Sequence, residues 1–130
     1  MADAKWVPIK RGKPTPKSIN EKYRGLIDVE LALDRQPPAE WAQAFLNPVN
    51  VPISISMHPP KLVGSTVVIQ PPDNELDAYV KHVDVRIDHA NQRYEHEFLP
   101  EIEAARERDQ RQHDEDQQRL DDARKRSEEL

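Results

Sequence analysis

Three histidines, His82, His89 and His96, repeat every seven residues in the stretch ELDAYVKHVDVRIDHANQRYEHEF, which covers residues 75–98. Imidazole is a common metal ligand and titrates near neutral pH, so such a row could hold a metal ion or respond to pH. Seven residues of helix rise about 10.5 Å, however, and one ion cannot bridge that distance. The sequence also lacks a His-x-x-x-His pair, the spacing that chelation within a helix needs. We therefore interpret the histidines as helix surface, keep a pH-responsive interface as the alternative, and expect no bound metal.

Two carboxylates form the second candidate site. Asp28 and Glu30 lie two residues apart in a predicted strand and therefore point to the same side, as do Ser54 and Ser56 in another predicted strand. Such a set could hold a magnesium ion or serve in acid–base catalysis. A solvated sheet face gives the same pattern. The sequence has no cysteine, phosphate-binding glycine loop, nucleophile elbow or HExxH motif. We predict a non-enzymatic protein without a cofactor, with a small metal-dependent enzyme using Asp28 and Glu30 as an alternative.

The N-terminal segment is basic. Residues 1–24 contain seven Lys and Arg against two Asp and Glu, although the whole chain has a net charge of −5. Residues 1–22 contain three prolines and show no helical or strand period, which predicts an extended arm. Such an arm can attract nucleic acid or an acidic partner. The alternative function is therefore a nucleic-acid accessory protein that binds phosphates through residues 5–24, with four candidate side chains: Lys10, Arg11, Lys13 and Lys17.

The elements that must position these residues can be predicted from hydrophobic periodicity. Alternating apolar residues in GLIDVELAL, VPISISM and the β-branched STVVIQ predict three strands, and RQPPAEWAQAFLNP predicts a short helix that ends at Asn47. A long helix capped by Asp73 should then run at least to Phe98. The order β-α-β-β-α predicts an α+β fold, a two-layer domain over residues 23–99 with a small three-stranded mixed sheet.

The long helix carries an apolar stripe with four-three spacing: Leu76, Val80, Val83, Ile87, Ala90 and Tyr94. This spacing predicts packing against the sheet and is also typical of a coiled coil. Asn91 is the polar residue beside the stripe, and it could bond a loop backbone or specify helix pairing. Pro100 should kink or interrupt the helix. Residues 100–130 are highly charged and predict a helical or partly disordered tail.

The chain length and composition predict a soluble, cytoplasmic protein. No apolar run approaches the ~20 residues of a membrane span, and residues 1–20 lack the apolar core of a signal peptide. The predicted function is binding to other protein chains, as a self-associating adaptor, an assembly component or an inhibitor. The helix is longer than the strands of a small sheet, so the sheet cannot bury the apolar residues at its distal end. Either a second copy in a homodimer or the apolar cluster of the arm should bury them. The predicted partner-binding residues are Trp6, Ile9, Tyr94, Phe98, Leu99 and Ile102.

Overall fold

The computed structural model describes residues 6–49 and 58–130. The predicted strand at residues 51–57, with Ser54 and Ser56, lies outside the described residues. The chain divides into two units, Met1–Glu95 and His96–Leu130.

The first unit contains a four-stranded sheet. Its strands are β1 (Thr15–Ile19), β2 (Ile27–Ala32), β3 (Lys61–Val63) and β4 (Thr66–Ile69), in the order β1-β2-β4-β3. The α+β class is confirmed, but the prediction of a three-stranded mixed sheet is wrong for the described strands, because all of their pairings are antiparallel. The mixed sheet required a parallel crossover after β2. In the structure, β2 instead pairs with β1 and β4.

The two central strands bury one face. In β2 and just after it, Val29, Leu31 and Leu33 are buried while Asp28 and Glu30 are only half-buried, so the predicted alternation is confirmed. Val29 pairs with Ile69 of β4, and Leu31 pairs with Val67, which places the buried residues of both strands on the same side. This apolar face is one wall of the core.

The edge strands were missed because their sequences carry no burial signal. All five residues of β1 are exposed, and its register shifts between Pro16 and Ser18. A proline, a lysine and a bulge are typical of edge strands, since they discourage pairing with another chain. β3 is only three residues long and joins β4 through Gly64 and Ser65, where Gly64 has a φ of 61°. That left-handed conformation favours glycine.

Helix α1 (Ala39–Leu46) matches the predicted short helix. Its start follows Pro37 and Pro38, and proline is well suited to the beginning of a helix because the first amides lack partners within it. Trp41 and Phe45 lie one turn apart, are fully buried and stack with ring centroids 5.5 Å apart. The helix packs against α2 (Leu76–Arg93) and also contacts β3.

Helix α2 buries the predicted stripe, but the buried face is rotated from the predicted one. Val83, Ile87, Ala90 and Tyr94 are buried as expected, whereas Leu76 and Val80 are half-buried. Tyr79, Arg86 and Asn91 are the other buried residues of α2. The predicted cap is wrong, because Asp73 lies within a 3-10 turn, Asp73–Glu75, and the residue that precedes α2 is Glu75.

The helical backbone changes character before Pro100. A π-helical segment occupies Tyr94–Phe98, and α3 begins at Leu99 and ends at Glu128. The regular α-helix is therefore interrupted just before Pro100, as predicted. Proline has no amide hydrogen to donate to the preceding turn, as a regular helix would require. Within the second unit, α3 has 30 residues and no buried side chain. None of the helices in the described part of the chain is both long enough and apolar enough to cross a membrane.

Candidate functional site

The arm is bound to the body through the side chain of Asn91. Its Oδ1 accepts hydrogen bonds from the backbone N–H of Ile9 at 2.9 Å and from Nε1 of Trp41 at 2.8 Å. Its Nδ2 donates to the carbonyl of Ile9 at 3.0 Å. The amide thus satisfies both backbone groups of Ile9, as a neighbouring strand would. Of the two alternatives for Asn91, bonding to a loop backbone is the one found.

The apolar cluster of the arm is occupied within its own chain. Ile9 is buried, with 1% of its surface exposed. The Trp6 ring lies 4.4 Å from the ring of Tyr94 and 4.8 Å from the guanidinium of Arg35, which also donates a hydrogen bond to the carbonyl of Val7. Three of the predicted partner-binding residues, Trp6, Ile9 and Tyr94, are therefore brought together by intrachain packing. The arm therefore covers Tyr94, one of the distal residues that were expected to need a cover.

The basic residues of the arm are divided between a paired and a solvated group. Arg11 binds Asp84 of α2 through two contacts, Nε to Oδ1 at 2.6 Å and Nη2 to Oδ2 at 2.9 Å. The hydrogen bond to Asp84 raises the pKa of Arg11 above its ordinary value. The three lysines among the predicted phosphate-binding residues, Lys10, Lys13 and Lys17, are exposed.

The carboxylate of Asp28 in β2 binds one residue of β1 and the residues that directly follow β1 and β4. Its oxygens accept hydrogen bonds from Asn20 at 2.9 Å, from Gln70 at 3.2 Å and from the hydroxyl of Ser18 at 3.4 Å. Glu30 lies on the same outer face, half-buried. The residues that the structure describes contain no group of three His, Asp or Glu side chains suited to a metal ion.

The three histidines have different surroundings rather than forming one row. His82 accepts a hydrogen bond from Nε of Arg86 at 2.8 Å, and His89 accepts one from the backbone N–H of Val49 at 3.3 Å. His96 is exposed. Burial lowers the pKa of His82, and the Arg86 charge lowers it further.

Arg86 is the main buried group that the sequence analysis missed. It is 2% exposed, and its Nη1 donates to the carbonyls of Phe45 and Leu46 at 3.0 and 3.2 Å, at the C-terminus of α1. A cation is favoured there because the carbonyls at a helix end carry partial negative charge. Desolvation lowers the pKa of Arg86. Its position three residues after Val83 and four before Ala90 was a usable signal, since that spacing places it on the core face.

The second unit presents a largely exposed helix. Phe98, Leu99 and Ile102 are half-buried, and Leu120 is 45% exposed. Along the helix, four glutamines each donate to an aspartate four residues later: Gln110 to Asp114, Gln112 to Asp116, Gln117 to Asp121 and Gln118 to Asp122. Such pairs support a helix without tertiary contacts.

Comparisons of the chain with protein-family models, with curated proteins and with solved structures found no match.

Proposed function

We propose that this chain is a non-enzymatic protein–protein interaction module whose helix α3 binds another protein chain. The observation that carries the proposal is the exposure of α3, which has 30 residues and buries none of them. At ~1.5 Å per residue the helix is about 45 Å long. Most helices in proteins owe their stability to packing of an apolar face, and α3 retains apolar residues at both ends that a partner could cover.

The state of the arm supports α3 as the binding surface. Trp6, Ile9 and Tyr94 are packed within the first unit and offer little apolar surface to a partner. The prediction that Phe98, Leu99 and Ile102 bind a partner stays a proposal. Leu99 and Ile102 lie in the first turn of α3, and Phe98 immediately precedes it.

The alternative functions have weaker support. A nucleic-acid role would use four cations of the arm, but Arg11 is already paired with Asp84, and the chain as a whole is acidic. A metal-dependent enzyme would use Asp28, whose oxygens already accept hydrogen bonds from three neighbouring side chains. Neither alternative is favoured by a specific contact.

Site-specific photo-crosslinking in an extract of the native host tests the proposal. A benzoylphenylalanine at position Leu120 of the full chain should give a covalent adduct, whose mass shows whether the partner is a second 15.1 kDa chain or another protein. The matched control carries the same group at Gln118, which is exposed and points to the other side of the helix. An adduct from Leu120 but not from Gln118 supports the proposal. No adduct from either position, with an adduct instead from the sheet face at Glu30, would contradict it.

A further inference from the structure

The apolar side chains of α3 lie at its two ends and share one helical register. Leu99 and Ile102 are repeated 21 residues later by Leu120 and Ala123. This separation is three heptads, so the four residues occupy the a and d positions of a single stripe. On a straight helix the stripe drifts by about 60° over three heptads, and a left-handed supercoil removes that drift. Leu120 and Ala123 are exposed, so this end of the stripe is open to a partner.

The middle of the same stripe is charged. Between the apolar ends, the a and d positions hold Arg106, Asp109, His113 and Asp116. In a parallel pair of helices, each of these side chains would face its own copy, so arginine would meet arginine and aspartate would meet aspartate. Like charges in facing positions are destabilising. A parallel homodimer is therefore disfavoured.

An antiparallel arrangement reverses every one of these encounters. We propose that α3 pairs with α3 of a second copy of this chain, antiparallel, with the twofold axis level with Arg111; this inference rests on the proposed function and names its partner. Each residue then faces the one equally far on the other side of Arg111. The facing pairs are Leu99 with Ala123, Ile102 with Leu120, Arg106 with Asp116, and Asp109 with His113. Apolar residues meet apolar ones, and each carboxylate meets a basic side chain.

The surface of α3 contains a depression for one of these side chains. Asp116, Arg119, Leu120 and Ala123 line a shallow depression. Four residues with this spacing form the hole that accepts a side chain from a facing helix in knobs-into-holes packing. The depression is centred between Arg119 and Leu120, within about half a residue of the level at which Ile102 of the second copy lies. Ile102 of the second copy is therefore the side chain that fits the depression.

The residues beside the axis are compatible with this approach. Gln110 and Gln112 flank the stripe close to Arg111 and are uncharged. In an antiparallel pair with this axis, Gln110 lies level with Gln112 of the second copy, where two amides can exchange hydrogen bonds. A closed twofold contact of this kind uses the same surface on both copies and leaves no open end for further growth.

Charge reversal in the full-length chain tests the pairing. Arg106→Asp places aspartate opposite Asp116 in two symmetry-related positions, and Asp116→Arg places arginine opposite Arg106 twice. Each change replaces two attractive pairs by two repulsive ones, so each should weaken dimerisation about tenfold or more. The double variant restores both pairs with the signs exchanged. Sedimentation equilibrium over a hundredfold range of concentration measures the dissociation constants.

Rescue in the double variant cannot arise within one chain. Residues 106 and 116 are ten residues apart, about 15 Å along the same helix, and do not touch. Arg108→Asp is the matched control, because it makes the same change of charge on the outer side of the helix and should leave the dissociation constant within about threefold. Circular dichroism of each variant checks that the helix itself is retained.

Three outcomes would overturn the inference. These are a monomeric mass for the unmodified chain at every concentration, single variants that dimerise as well as the original, and a double variant as weak as either single one. The proposed function fails separately. If Leu120 crosslinks to an unrelated host protein while Arg106→Asp leaves the mass unchanged, the homodimer is refuted and the interaction function stands.

Discussion

Replacing Asn91 by leucine tests how the arm is held. The substitution keeps the size of the side chain but removes three buried hydrogen bonds, to the N–H and C=O of Ile9 and to Nε1 of Trp41. Each group left unpaired costs about 1–3 kcal/mol, so a rigid structure would lose about 3–9 kcal/mol. Release of the arm limits this loss, because water then binds the backbone groups of Ile9 and they are no longer unpaired. Release itself costs about 1.5–3 kcal/mol, since the Ile9 side chain is no longer buried. We expect the free energy of unfolding to fall by about 3–5 kcal/mol.

Two measurements check this expectation. Urea unfolding followed by tryptophan fluorescence gives the free energy, and hydrogen exchange of residues 7–12 shows whether the arm is released. Gln92→Leu is the matched control, since Gln92 is exposed and its amide donates to exposed Asp88 at 3.3 Å. It should cost less than about 0.5 kcal/mol. If Asn91→Leu and Gln92→Leu cost the same, or if exchange in the arm is unaffected, Asn91 does not anchor the arm.

Three further predictions concern the body and the tail. Arg86→Leu should cost about 2–4 kcal/mol in urea unfolding, because it leaves buried carbonyls of α1 unpaired, whereas Lys81→Leu on the exposed side should change stability by less than about 0.5 kcal/mol. The lowered pKa of His82, caused by burial and then by the Arg86 charge, means that the unfolded chain binds its proton more readily. Stability should therefore be fully present above about pH 6.5 and fall as the pH drops below it. His82→Gln should make that fall smaller when unfolding is compared at about pH 7.5 and about pH 5. A chain that ends at Ala105 should unfold within about 0.5 kcal/mol of the full chain at dilutions where both are monomeric, and a larger loss would mean that the tail packs on the body.

Elements with one buried face could be predicted from the sequence. The alternation in β2 and the spacing of Trp41 and Phe45 in α1 both arise because burial selects apolar side chains with the period of the local backbone. β1 leaves no such trace, because all five of its residues are exposed and its strand conformation is imposed by pairing with β2. β3 is three residues long, too short for any period to be visible.

The sequence could predict that a polar side chain of the body forms a buried hydrogen bond, but not which residue it binds. Asn91 stood out as a polar residue beside an apolar stripe, yet its partner Ile9 lies 82 residues away in the sequence. Nothing in a single chain indicates which backbone groups will meet at that separation. Arg86 was missed for a different reason, since the predicted stripe includes Val80 rather than Tyr79 and passes from Val83 directly to Ile87. The buried face follows Tyr79, Val83 and Arg86.

The link between Ile9 and Asn91 also sets the order in which the protein can be completed during synthesis. Ile9 leaves the ribosome before Asn91, the side chain that binds it, which lies 82 residues later. At typical elongation rates of about 5–20 residues per second, the arm waits roughly 4–16 s with its tryptophan and isoleucine uncovered. During that interval the charges of Lys10 and Arg11, next to Ile9, favour hydration of the segment.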